Sequence, residues 1–141
     1  MIGVLQKICS QKYFPQGMKD QKFSISKRIA SFRFAFNGLK ILLKEEHNAR
    51  IHLVIALCTL IAGAIFRLSA YEWIAISFAI GLVFIVELIN TTIEHIADFV
   101  CPERHDKIKK IKDMAAAAVL ISALTALAIG LIVFVPRILS I

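Results

Sequence analysis

Three long apolar runs decide most of what this chain can fold into. Ile51–Phe66 carries no formal charge and is bracketed by Arg50 and Arg67; Trp73–Ile93 is apolar apart from Glu87 and a polar patch near its end; Met114–Val135 is apolar up to Pro136. They hold 16, 21 and 22 residues, and a helix needs roughly 20 residues, rising ~1.5 Å each, to cross a hydrocarbon core. The first run is short, so it is expected either to extend toward Tyr71, giving spans of about 51–70, 73–93 and 114–135, or to cross a thinned region of bilayer. Composition agrees. Only 19% of residues are charged and 58% are hydrophobic, whereas a soluble domain carries about a quarter charged residues.

The charge that remains is placed unevenly. Residues 1–50 hold ten Lys/Arg against three acids, 51–100 hold one against four, and 101–141 hold six against three. A basic surplus at the head and in one later connection reads as membrane topology rather than as a nucleic-acid footprint. Glu103–Lys112 contains Arg104, Lys107, Lys109, Lys110 and Lys112, so this connection and the N-terminus are expected in the cytoplasm and the C-terminus outside. Residues 1–23 are polar and mixed, lack the apolar core of a signal peptide, and read as an extension. From residue 24 the pattern changes. Ile25, Ile29, Phe32, Phe36, Leu39 and Leu43 make one apolar helical stripe with Lys27, Arg28, Arg33, Lys40 and Lys44 off it, the pattern of an amphipathic helix in the headgroup plane, about 24–49. A soluble helix packed on a partner would show the same stripe. The expected architecture is all-α integral membrane: three transmembrane helices preceded by an amphipathic interfacial helix, in one domain over 24–141. Cys9, Cys58 and Cys101 are odd in number and widely spaced, so they suggest neither a disulfide framework nor a zinc site.

The cytoplasmic half of the second span reads Glu87-Leu-Ile-Asn90-Thr-Thr-Ile-Glu94. Glu87 and Glu94 are two turns and ~10 Å apart on one face, with Asn90 toward that face. A carboxylate within a spanning helix costs on the order of 2.5–3.5 kcal/mol, so it normally faces a cavity or a partner and marks a functional site. An interhelical polar clamp is the structural alternative. Topology brings Glu46, Glu94, Lys112 and Asp113 to the same depth. Carboxylates with a lysine beside them suit a divalent cation and phosphate, because Mg²⁺ commonly takes one or two carboxylates plus substrate phosphates. Taken singly, each outer acid could equally be a solvated charge at a helix end. Ala115–Ala118 allow close helix approach. His47, His52, His95 and His105 lack zinc-ligand spacing and read as interfacial polar residues. No GxxxxGK[ST], GxGxxG or GxSxG is present, so any nucleotide chemistry must be built from helix faces.

At these residues the chain resembles a known family. Glu87-Leu-Ile-Asn90-Thr-Thr-Ile-Glu94 and Lys112-Asp113-Met-Ala-Ala-Ala-Ala-Val119, with Ser31-Phe-Arg-Phe-Ala-Phe-Asn-Gly38-Leu39 and Glu46-His-Asn-Ala-Arg50-Ile-His-Leu53 upstream, are similar to the prokaryotic diacylglycerol kinase family, which includes the undecaprenol kinases. The likeness covers about residues 27–135. It implies transfer of the ATP γ-phosphoryl group to a lipid hydroxyl at the cytoplasmic face of a bacterial inner membrane, with Mg²⁺, by a homotrimer whose sites are shared between subunits. By position, Glu87 would be the catalytic base, and Glu46 and Glu94 would hold the metal that bridges the ATP phosphates. Lys112 and Asp113 would contact ATP, with Glu103, Arg104 and His105 near it. Lys27 or Arg28 would supply the basic position of the surface helix. Asn90 would support the carboxylates, and Arg28, Asn48 and Arg50 would support the site or its substrate.

Two other readings compete with the resemblance. A small oligomeric proton-coupled transporter would use Glu87 as its carrier carboxylate and need no nucleotide. A purely structural membrane subunit would need neither. The position of Glu87, near the end of the second span and close in register to Lys112 and Asp113, favours the kinase. Arg50-Ile-His-Leu53 leans toward the undecaprenol side of the family.

Overall fold

The computed structural model describes residues 25–140, apart from the side chains at positions 25–28 and 30. The expected extension over 1–23 and the side chains of Lys27 and Arg28 therefore lie outside the described residues. Two units divide after Ala35, and the site belongs to the second. The described residues form four helices and no strand: α1 (Ile25–Glu45), α2 (His47–Ile65), α3 (Ala70–Val100) and α4 (Asp106–Leu139). The last three are long and apolar enough to cross a membrane. The protein is an all-α integral membrane protein.

The helix boundaries differ from the apolar runs in ways that matter for the site. The expected surface helix does not continue to 49: Glu46 takes an extended backbone, φ −96° and ψ 119°, and separates α1 from α2. The Glu46 amide still donates to Leu42 O at 2.9 Å, so the joint is one residue wide. Of the expected α1 stripe, Ile29, Phe32, Phe36 and Leu39 are exposed, while the buried side chain is Leu42. The first apolar helix begins at His47 and stops at Ile65, short of Tyr71. Its C-terminus closes with Arg67 N donating to Ala64 O and Leu68 N to Gly63 O, the pattern that needs a left-handed residue after the cap. Arg67 supplies it at φ 51°, where glycine is the commoner choice. Burial of Leu68 beside Gly63 accompanies the turn.

α3 starts at a capping box, in which Ser69 N donates to Glu72 Oε2 at 2.7 Å and Glu72 N to Ser69 Oγ at 3.5 Å. It runs past Ile93 to Val100, because nothing breaks it before Cys101, which precedes Pro102 and takes φ −146°. α4 begins at Asp106 rather than Met114, with His105 Nδ1 accepting from Lys107 N at 3.2 Å as its cap. Pro136 does not end α4; it lies inside the last turns, and the helix continues to Leu139. So near the terminus a proline forfeits only one interior hydrogen bond.

α3 packs most extensively on α4, and also on α2. At the end remote from Glu87 the core is Leu68, Ile76 and Val133, with Phe66, Trp73 and Phe134 against it. Phe66 and Phe134 meet edge-to-face, ring centroids 6.0 Å apart. A polar clamp closes that end: Arg137 Nη2 donates to Glu72 Oε2 at 2.7 Å and Nη1 to Phe66 O at 3.2 Å. Most other large apolar side chains of the helices face outward, as befits a chain solvated by lipid or by neighbouring subunits.

Candidate active site

One face of α3 changes character along its length. Ile76, Ala79 and Val83 are buried and apolar; one turn further the same face presents Glu87 and Thr91, also buried. The spacing 87, 91, 94, 98 continues the stripe as Glu, Thr, Glu and Asp. Glu87 is 2% exposed. Its backbone carbonyl accepts from Thr91 Oγ1 at 3.1 Å, which seals the hydroxyl into the helix. Its carboxylate oxygen Oε2 is buried with no hydrogen-bond partner among the described residues. Leaving such an acceptor unpaired costs about 1–3 kcal/mol, and more when the group is charged.

A second unfilled acceptor lies three residues on. Asn90 Nδ2 donates to Glu94 Oε1 at 3.1 Å, which leaves Asn90 Oδ1 buried and without a partner among the described residues. The amide therefore holds the Glu94 carboxylate and offers its own oxygen inward. Glu46, at the α1–α2 joint, and Glu94 both lie close enough for their charges to be felt at Glu87, as does His52 of α2. Arg50 Nε donates to the Glu46 carbonyl at 3.3 Å, bracing the joint from the first turn of α2. Glu45, the last residue of α1, reaches His95 of α3 at 3.5 Å. This contact joins the neighbours in sequence of Glu46 and Glu94.

Lys112 enters the cluster from α4. Its ammonium donates to both carboxylate oxygens of Asp98, at 2.8 and 3.0 Å, and also feels the charge of Glu94. The structure thus brings Glu46, Glu87, Asn90 and Glu94 together, with Lys112 beside them through Asp98. It does not bring in Asp113, which is exposed and has no hydrogen bond or ion pair among the described residues. Successive residues of a helix lie ~100° apart, so with Lys112 turned toward α3 its neighbour points away. Asn48 is exposed in the first turn of α2; Glu103 and Arg104 are exposed in the α3–α4 connection. His105 there is engaged as a helix cap. No group of three or more His, Cys, Asp or Glu side chains forms a metal cage among the described residues.

Sequence reasoning missed three participants. Asp98 was legible as the next residue of the 87-91-94 stripe, but it lies past the apolar run. His52 and Thr91 gave no signal beyond their helical register. Below Glu87, an apolar cavity of about 480 Å³ runs between α2, α3 and α4, lined by Ile76, Val83, Phe84, Ala126 and Gly130, with His52 among its few polar residues.

Comparison with known proteins identifies the family. The family model described as prokaryotic diacylglycerol kinase matches residues 33–134. The chain is 36% identical over 119 residues to an undecaprenol kinase of Bacillus subtilis, covering 84% of this chain and 97% of that protein. It is 32% identical over 113 residues to a diacylglycerol kinase of Synechocystis sp., covering 79% of this chain and 65% of the relative. A diacylglycerol kinase of Escherichia coli is 27% identical over 109 residues, covering 77% and 89%. The matched segment takes in the Glu46 joint, the acidic stripe of α3 and Lys112 alike, and on that match the chain belongs to the prokaryotic diacylglycerol kinase family of multi-pass membrane lipid kinases.

Proposed function

We propose that the protein transfers the γ-phosphoryl group of ATP to the hydroxyl of a membrane lipid alcohol at the cytoplasmic face of a bacterial inner membrane. The observation that carries this reading is the buried Glu87 Oε2, without a hydrogen-bond partner among the described residues, close enough to Glu46 and Glu94 to feel their charges and one turn beyond the apolar cavity lined by Val83 and Phe84. A lipid chain lying in that cavity would bring its hydroxyl toward Glu87. The hydroxyl donates its proton to the carboxylate as its oxygen attacks the γ-phosphorus, and the bond to the β–γ bridging oxygen breaks to release ADP. Phosphoryl transfer needs mainly positioning and charge neutralisation, so a handful of side chains can suffice.

The donor set suits a hard cation. The carboxylates of Glu46 and Glu94 and the unfilled Asn90 Oδ1 offer oxygen ligands. Glu46 and Glu94 would hold Mg²⁺, which uses one or two carboxylates plus substrate phosphates. When bound, it would supply positive charge against the triphosphate. Lys112 would contact the phosphates, and Asp113, Glu103, Arg104 and His105 would line the nucleotide's approach. Asn90 would orient Glu94, and Asn48 and Arg50 would support the substrate side. The basic α3–α4 connection argues for N-terminus in and C-terminus out. The outward apolar faces suit a homotrimer with sites completed by neighbouring subunits.

Undecaprenol is the preferred acceptor. The undecaprenol kinase of Bacillus subtilis is matched over 97% of its length at 36% identity, and Arg50-Ile-His-Leu53 leans the same way. The relatives named diacylglycerol kinase favour diacylglycerol as the second reading. Purified protein in mixed micelles, assayed for ATP consumption with each lipid, tests both. Turnover with neither lipid would reject the proposal.

A further inference from the structure

The contact between Lys112 and Asp98 extends the nucleotide reading of Lys112, on which it rests. An ammonium has three N–H donors, and Asp98 engages it through both carboxylate oxygens, at 2.8 and 3.0 Å. That grip leaves one donor for another acceptor. Asp98 continues the face of α3 that carries Glu87 and Glu94, and Lys112 already feels Glu94. The neighbouring cations behave differently: Lys107, Lys109 and Lys110 are exposed and carry no ion pair among the described residues. A free lysine at a helix start samples many rotamers and loses that freedom when it grips a phosphate. Lys112 has lost much of it beforehand.

We infer that Asp98 is a positioning residue for nucleotide capture: it holds the Lys112 ammonium beside the acidic cluster so that its remaining donor meets a phosphate oxygen. The inference predicts a sign. Taken only as one more negative charge near a triphosphate, Asp98 repels the nucleotide, and its removal tightens binding. Taken as the anchor of Lys112, its removal weakens binding.

The test uses the full chain in mixed micelles, with Mg·ATP affinity measured by calorimetry and the KM for ATP and for lipid measured separately. Asp98→Ala should raise the ATP Kd and KM about 1.5- to fivefold, the range open to a solvent-accessible ion pair, while kcat and the lipid KM change little. Asp98→Asn, which keeps the shape and one acceptor, should lie between. Asp106→Ala removes a charge of the same sign from the start of α4 and should not weaken binding. On a Lys112→Met background, Asp98→Ala should add nothing. Unchanged or tighter ATP binding in both Asp98 variants overturns the inference, as does an equal loss with and without Lys112. Should Lys112→Met itself leave ATP affinity untouched, the nucleotide role of that lysine fails and takes the anchor with it. Turnover of Glu87→Gln judges the lipid-kinase reading separately.

Discussion

Replacing Glu87 with glutamine should make the resting protein more stable and all but inactive. The side chain is 2% exposed, and its Oε2 has no partner among the described residues. A charged acceptor in that position costs on the order of 1–3 kcal/mol or more. Glutamine keeps the volume, removes the charge and supplies two N–H donors. Asn90 Oδ1 is an unfilled acceptor three residues on along the same helix, and the second N–H has no such acceptor among the described residues. The expected gain therefore comes from removing the buried charge and is on the order of 1 kcal/mol in unfolding free energy, the low end of the range for an unsatisfied buried group. Losing a general base should lower turnover about a hundred- to ten-thousand-fold. Denaturant unfolding in mixed micelles, followed by circular dichroism beside an ATP-coupled assay, reads both quantities. A variant less stable than the parent would show that Glu87 is a structural clamp whose partners are protein groups. Near-parental turnover would show that it is not the base.

Other outcomes follow from the same geometry. Glu94→Ala should raise the Mg²⁺ concentration needed for half-maximal turnover severalfold, and an unchanged metal requirement would remove Glu94 from the cation site. Asn90→Ala frees the Glu94 carboxylate and should shift the metal requirement in the same direction by less; a larger effect than that of Glu94→Ala would assign the metal contact to Asn90 itself. A methyl group at Gly63 would meet Trp73 Cη2 at 2.9 Å and Leu68 Cδ1 at 3.1 Å. Gly63→Ala should therefore destabilise by about 1–3 kcal/mol, as overpacking does, and Trp73→Leu should recover part of the loss in an unfolding titration. Arg137→Gln cuts both bonds of the polar clamp and should lower the thermal midpoint while leaving the ATP KM unchanged, since that end lies far along α3 from Glu87.

Much of the architecture was readable because the bilayer allows few solutions. Apolar runs near 20 residues become helices, and an acid inside one of them demands a reason. What escaped the reading lay where hydropathy stops being informative. Glu46 breaks the backbone without glycine, proline or a capping side chain to announce it. α3 outlasts its apolar run because Glu94 and Asp98 are compatible with helix, and only Pro102 interrupts it. Pro136 falls where a helix tolerates it. Within the site, Glu87, Asn90 and Glu94 share a helix, so their register was visible. The Lys112–Asp98 pair was not, because it depends on how α3 and α4 face each other.

The length of α3 has one more consequence. Its 31 residues reach ~46 Å at 1.5 Å per residue, well beyond the about 30 Å of hydrocarbon. Counted from Ala70, Glu87 comes at ~26 Å, Glu94 at ~36 Å and Asp98 at ~42 Å. One rigid rod therefore grades its acids from oil to water. On the proposed reaction, the greasy reactant would wait at the lowest rung while the water-borne one docked on the upper rungs, and neither would have to leave its own solvent for the two to meet.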